Sequence, residues 1–275
     1  MSSETATVAA IFERDIREAL AQADRRPVII GLCGAQGSGK STAAAQAHAA
    51  LNADGIRSVL LSLDDFYLTS AERNALGDAV HPLLRTRGVP GTHDVALAMT
   101  LLDLLQSGEP VRLPRFDKAR DDRAKTAEWR IAPAEAQVIL FEGWCIGARP
   151  QAEAALAQPV NALEAEQDRM GSWRRYVNDQ LAGPYQKLFA RLNRLVLLRA
   201  PGFEIVRAWR TEQERDLRRD AGDGAGMRDA EIETFIQHYE RLTRHILDEM
   251  PARADLTIAL DEKRSVIGTQ QVEYL

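Results

Sequence analysis

Short apolar runs alternate with longer stretches whose apolar residues recur every three or four positions. Residues 27–33 (Pro-Val-Ile-Ile-Gly-Leu-Cys), 57–63, 137–141, 194–199 and 256–260 are β-branched or leucine-rich runs of strand length, and Val111–Pro114 is a shorter candidate. Between them the period changes. Val8, Phe12, Ile16 and Leu20 are spaced four apart and predict a helix over 5–23. Ser41 to Leu51 is alanine-rich and predicts a second helix. A helix capped by Asp94 is expected to bury Leu97, Leu101, Leu104 and Leu105. Residues 68–93, with Pro82, Gly88, Pro90 and Gly91, read as turns. Residues 151–190 read as a polar helical insertion. A helix follows from Phe203 to about Arg219, and another after Asp229 carries Ile232, Phe235, Tyr239, Leu242 and Ile246. Strand–helix alternation predicts an α/β protein, with a parallel sheet covered by helices on both faces. No repeat or linker divides the 275 residues, so residues 1–275 are expected to form one domain.

Composition narrows the class. With 27% charged and 45% hydrophobic residues, the chain has an ordinary globular balance. A formal net charge of −5 gives no footprint for nucleic acid. Two cysteines, Cys33 and Cys145, exclude a disulfide framework and fit a reducing compartment. No apolar stretch is long enough to span a bilayer. The expectation is a cytoplasmic protein without nucleic-acid or membrane partners.

One segment adds chemistry. Gly34 to Ser41 matches G-x-x-x-x-G-K-[ST], and it lies between the first strand and the alanine-rich helix as that pattern requires. Gly34, Gly37 and Gly39 lack a Cβ, so the backbone is free to take positive φ and approach a ligand. The N–H groups of Gly34, Ala35, Gln36, Gly37, Ser38, Gly39, Lys40, Ser41 and Thr42 are candidates to cradle phosphates at a helix N-terminus. Lys40 supplies a point charge for the β- and γ-phosphates, and the Ser41 hydroxyl a ligand for the accompanying Mg²⁺. ATP and Mg²⁺ are the expected cofactors.

In an open parallel sheet, ligands bind beyond the carboxyl ends of the strands. Asp64 and Asp65 follow the second strand, where a kinase needs a carboxylate for the attacking hydroxyl. If the chain is still extended there, the two point to opposite sides and cannot both face the acceptor. Glu142 ends another apolar strand, a position suited to ordering Mg²⁺. The helix after Phe203 carries Arg207, Arg210, Arg215, Arg218 and Arg219, and the glycines at 222, 224 and 226 follow it. A lid over about 203–228, bringing Arg207 or Arg210 to the transferred phosphate, is one reading. Neutralisation of the arginines by Glu212, Glu214 and Asp216 is the other. His238, Arg241 and His245 share one helix face, expected to be solvated.

In combination, these segments resemble the D-glycerate 3-kinase group of P-loop kinases, relatives of pantothenate kinase, uridine kinase and phosphoribulokinase. The matching segments are Gly34–Thr42, Leu61-Ser-Leu-Asp-Asp-Phe-Tyr67, Arg87-Gly-Val-Pro-Gly-Thr-His-Asp94, Leu113-Pro-Arg-Phe-Asp-Lys118, Phe141-Glu-Gly-Trp144, Trp209-Arg210 with Glu212-Gln213-Glu214, and Phe235–Tyr239. The resemblance implies a P-loop NTPase-type three-layer fold with a helical lid, and transfer of the γ-phosphoryl group of ATP to D-glycerate. It also implies that Asp64 is the base, with Tyr67, His93, Arg115, Asp117 and Lys118 on the acceptor side. Uridine kinases have Asp where Gly91 stands and Tyr where Phe116 stands, and both contact the nucleoside. Their absence argues against a nucleoside acceptor.

Two rivals remain open. One is a kinase for another small hydroxylated metabolite, pantothenate-like or sugar-like. The other is a non-catalytic, nucleotide-gated switch. A guanine-reading N-K-x-D is missing, and Asp168-Arg-Met-Gly171 matches a switch motif by letter only, since no apolar strand leads into it.

Overall fold

A computed structural model describes residues 7–221 and 229–272. Helix α1 (Val8–Gln22) is capped by Thr7, whose hydroxyl accepts from the Ala10 N–H. It leads to β1 (Val28–Gly34), the phosphate-loop segment and α2 (Lys40–Ala53). β2 (Ser58–Ser62) runs into a 3₁₀ turn over Leu63–Phe66. Helices α3 (Ser70–Ala79) and α4 (Val95–Gln106) follow. Two small antiparallel ladders come next: β3 (Arg112–Leu113) pairs with β6 (Arg130–Ile131), and β4 (Phe116–Asp117) with β5 (Asp122–Arg123). After β7 (Val138–Gly143) come α5 (Ala162–Gln167), α6 (Ser172–Gln180), a π-helical turn over Leu181–Tyr185, and α7 (Gln186–Phe189). The chain continues through β8 (Arg194–Arg199), α8 (Phe203–Ala221), α9 (Asp229–Glu249), β9 (Leu256–Leu260) and β10 (Val266–Gln271).

The main sheet has the order β10-β9-β8-β1-β7-β2, and every pairing is parallel except β10 with β9. β1 is central, so all of its residues are buried and it reads as a continuous apolar run. Its alternation still divides two cores. Val28, Ile30 and Leu32 pack with α1, α2 and α8, while Ile29 and Cys33 pack with α4, α7 and α9. Each fully buried Leu or Ile contributes roughly 1.5–3 kcal/mol of transfer free energy, so the sheet is a rigid base for the loops at its carboxyl edge. Among the described residues, no helix is long and apolar enough to cross a membrane.

Four expectations need correction. Residues 70–79 are helical rather than turns, because Thr69 and Glu72 form a reciprocal capping box. α4 buries Val95, Ala98, Leu101, Leu102 and Leu105, while Leu104 faces solvent. β9 is not the last strand, since β10 folds back beside it. His238 and Arg241 are buried rather than solvated, and Arg241 forms a forked pair with buried Glu164 at 2.7 Å on each arm. Asp168 is a helix-capping residue: its carboxylate accepts from the Trp173 and Arg174 N–H groups and pairs with the Arg174 guanidinium. The glycines at 222, 224 and 226 lie outside the described residues.

Candidate active site

The phosphate-loop segment joins β1 to α2, with Gly39 as the N-cap of α2. Gly39 supplies no capping side chain, so no side-chain cap occupies the first N–H groups of the helix among the described residues. Gly37 and Gly39 have φ of +74° and +87°, the left-handed region that glycine enters without penalty. Gly34 is glycine for a different reason, since its φ is not positive. A Cβ there would sit 2.8 Å from Ser38 Oγ and 3.1 Å from Leu198 Cβ. At Gly37 a Cβ would meet Trp209 of α8 at 2.6 Å. Ala35 is buried, and Ser38 Oγ and Gln36 Oε1 are buried without hydrogen-bond partners among the described residues.

At the helix start, Ser41 Oγ donates to Glu142 Oε1 at 2.9 Å. Glu142 is 4% exposed, and its Oε2 has no partner among the described residues. A buried carboxylate oxygen without a donor is costly unless something positive completes it. This donor set fits Mg²⁺, a hard ion held by one or two protein oxygens with phosphate and water supplying the rest. Among the described residues, no three His, Cys, Asp or Glu side chains could together hold a metal ion.

Asp64 sits in the 3₁₀ turn that ends β2, so the chain is not extended at 64–65. The two carboxylates nevertheless diverge. Asp64 Oδ2 accepts from Lys118 Nζ at 2.7 Å and Oδ1 from the Tyr67 hydroxyl at 2.9 Å. Burial alone would push Asp64 up. The Lys118 and Lys40 charges and the two hydrogen bonds outweigh it and hold the carboxyl well below the usual carboxylate range. Asp65 Oδ1 instead accepts from the Phe116 N–H at 3.0 Å, and burial pushes its pKa up.

Tyr67 is buried and stacks on His93, with ring centroids 4.5 Å apart. His93 Nδ1 lies 2.6 Å from the Tyr185 hydroxyl, which also accepts from the Gly91 N–H at 3.0 Å. With the hydroxyl hydrogen given to Nδ1, the proton of the neutral imidazole is assigned to Nε2. Nε2 is buried without a partner among the described residues, and burial lowers the His93 pKa to about 3. Tyr185 belongs to the π-helical turn containing Pro184, which supplies no N–H to the helix ladder.

The remaining acceptor-side expectations divide. Lys118 reaches Asp64. Asp117 turns back on its own loop, accepting from the Ala119 and Arg120 N–H groups. Arg115 is exposed and lines a separate depression with Asp65, Glu128 and Arg130. Arg123 is spent on the Tyr67 carbonyl and Asp94. Arg207 points outward and pairs with Glu233 at 2.7 Å, its side chain 64% exposed. Arg210 is inward-facing, pairs with Glu214 and Gln213, and lies 5.5 Å over the Phe235 ring. Its Nε is buried without a partner among the described residues.

Sequence reasoning missed three groups here. Arg87 lies 5.5 Å over the Phe116 ring, paired through Nη1 with Asp121. Tyr239 of α9 donates to the Arg87 carbonyl at 3.1 Å. Arg264 contacts the phosphate loop from the β9–β10 turn. The first two fall within segments with visible motifs, whereas no local pattern marks Arg264.

Comparison with known proteins gives a consistent placement. Residues 29–148 match the phosphoribulokinase/uridine kinase family. An uncharacterised kinase of Schizosaccharomyces pombe is 36% identical over 223 residues, covering 78% of this chain and 79% of that protein. The chloroplastic D-glycerate 3-kinase of Arabidopsis thaliana is 29% identical over 262 residues, covering 89% of this chain and 55% of that longer protein. The solved D-glycerate 3-kinase of Cryptococcus neoformans superposes with a TM-score of 0.81 at 25% identity, over 97% of this chain and all of that one. With the phosphate-loop geometry at the carboxyl edge of a mostly parallel sheet, and with D-glycerate 3-kinases among the proteins it resembles along most of its length, the chain belongs to the phosphoribulokinase/uridine kinase family of P-loop kinases.

Proposed function

We propose that this chain is an ATP-dependent kinase that phosphorylates a hydroxyl of a small hydroxy acid, with D-glycerate as the first candidate. The single observation that carries the reading is the placement of Asp64 beside Lys118 and within the field of Lys40. A hydroxyl-orienting carboxylate then lies next to a cation suited to an anionic acceptor, across from the phosphate loop. The names of the similar D-glycerate 3-kinases support the choice of acceptor.

In this reading the uncapped N–H groups at the start of α2 and the Lys40 ammonium bind and orient the triphosphate. Ser41 and Glu142, whose side chains meet at the start of α2, would hold Mg²⁺. When bound, that ion neutralises charge on the β- and γ-phosphates. Asp64 accepts the acceptor hydroxyl's hydrogen bond and takes its proton as phosphoryl transfer proceeds. Lys118 and His93 Nε2–H supply donors for the acceptor's oxygens, and Tyr67 fixes the Asp64 carboxylate. Arg210 stabilises the transferring group after α8 moves as a lid, with Arg207 as the second candidate on that helix. Residues 151–190 are an insertion that braces the acceptor side through Tyr185. The two buried, unpaired cysteines fit a reducing, cytoplasmic setting.

The test is ADP release with ATP and Mg²⁺ against a panel of sugar acids, nucleosides and vitamins, with Lys40→Ala as the blank. The expected result is turnover dependent on a hydroxy acid. ATP hydrolysis indifferent to every acceptor would favour a nucleotide-gated switch and reject the kinase reading.

A further inference from the structure

The β9–β10 turn reaches the phosphate loop through one side chain. Arg264 Nε donates to the Gly37 carbonyl at 2.6 Å. Its Nη2 meets Glu212 Oε2 of α8 at 2.7 Å, and its guanidinium carbon lies 5.3 Å from the Trp209 ring centroid. Trp209 is 2% exposed, packs on Gly37 and donates its Nε1–H to the Glu262 carbonyl at 2.7 Å. One arginine thus touches the loop, the helix that roofs it and the face of the tryptophan between them.

Two further observations indicate that this contact is more than surface pairing. Arg264 has φ of +66°, a conformation that side chains other than glycine, Asn and Asp rarely adopt. Such strain persists only where surrounding contacts impose it. The turn is also closed without the guanidinium. Asp261 Oδ1 accepts from the Lys263 and Ser265 N–H groups at 2.9 and 2.7 Å. The backbone of Asp261 bonds that of Ser265 at 2.9 Å and that of Arg264 at 3.0 Å. The side chain is therefore available for a task outside its own turn.

We propose that Arg264 is a positioning residue for nucleotide binding, which holds the Gly37 peptide so that its carbonyl faces away from the triphosphate. A phosphate cradle needs N–H groups turned inward and carbonyls turned outward. A peptide flanked by glycine rotates easily, and a carbonyl turned inward would oppose the phosphate charge. Arg264 Nε holds the carbonyl side of the Gly37–Ser38 peptide, while the Ser38 N–H bonds the Ala35 carbonyl at 3.2 Å. Both ends of that peptide are fixed. The pairing with Glu212 also ties the turn to α8. The inference rests on reading the loop as the nucleotide site.

The discriminating variant is Arg264→Gly, because glycine accepts the positive φ and relieves strain rather than adding it. ATP affinity by calorimetry and steady-state KM are measured beside the melting temperature of the nucleotide-free protein. The expected result is a KM and dissociation constant for ATP raised roughly five- to tenfold, as for loss of one charge-assisted hydrogen bond. kcat at saturating ATP should change little, and the melting temperature should hold or rise. Arg264→Lys, which keeps the charge but not the fork, should recover only part of the affinity. Unchanged ATP affinity in Arg264→Gly overturns the proposal, as does a fall in melting temperature with no change in affinity. Failure of the underlying reading is distinguishable, because wild-type protein would then bind no ATP at all.

Discussion

Lys118 Nζ and Asp64 Oδ2 lie 2.7 Å apart, and this pairing sets the proton affinity of the carboxylate proposed to meet the acceptor. Held by a cation and by the Tyr67 hydroxyl, Asp64 is ionised but weakly basic. Removing the Lys118 charge as Lys118→Met leaves the effect of burial in place and withdraws an opposing one, so the Asp64 pKa should rise. The acidic limb of the kcat/KM–pH profile is then expected to move to higher pH. A limb that stays where it is in the wild type would mean that Asp64 does not titrate in catalysis.

Asp64→Asn keeps the shape and loses the proton acceptor. Its kcat should fall roughly 10²–10⁴-fold with little change in ATP affinity. Asp65→Asn retains an oxygen that can accept from the Phe116 N–H, so its turnover should stay close to wild type. Steady-state kinetics of the two variants checks the assignment, and a larger loss at Asp65 reverses it.

On α8, Arg210 is inward and Arg207 outward. Arg210→Ala should lower kcat more than it raises KM for ATP, the pattern of a contact made mainly in the transition state. Arg207→Ala should be mild. An effect of Arg210→Ala confined to KM would make it a ground-state binding group.

His93 should remain neutral far below the ordinary histidine pKa of about 6.5. Imidazole ¹⁵N shifts are expected to show the Nε2–H tautomer down to about pH 4, because burial lowers its pKa to about 3. The linked stability has a definite sign. Between pH 6.5 and 3 the unfolded chain binds a proton that folded His93 refuses, so this contribution is present above pH 6.5 and lost on acidification. A His93 signal titrating near 6.5 would contradict the buried placement.

The order of strands and helices was legible because it follows from local periodicity, and the phosphate loop because its spacing is a backbone requirement. The missed helix α3 had a readable signal in Thr69 and Glu72, obscured by the prolines and glycines that follow. β10 had none, since Ile267 is 68% exposed and its strand has no apolar alternation. The burial of Arg241 depends on Glu164, 77 positions away, and no window along the chain contains both. The same holds for Arg264 and Gly37, separated by 227 positions. Arg115 and Asp117 share a segment with Lys118, yet only Lys118 meets Asp64, since Asp117 accepts from the Ala119 and Arg120 N–H groups and Arg115 lines a separate depression.

Gly37 occupies a position that the general phosphate-loop pattern leaves unrestricted. Here a Cβ would strike both the side chain and the backbone of Trp209, and the required φ is positive as well. Moving α8 aside to admit a larger residue would pull Trp209 from the Glu262 carbonyl and from the Arg264 guanidinium. A larger residue at 37 is therefore tolerable only if position 209, far along the chain, changes with it, so the tryptophan of α8 limits what the phosphate loop can carry.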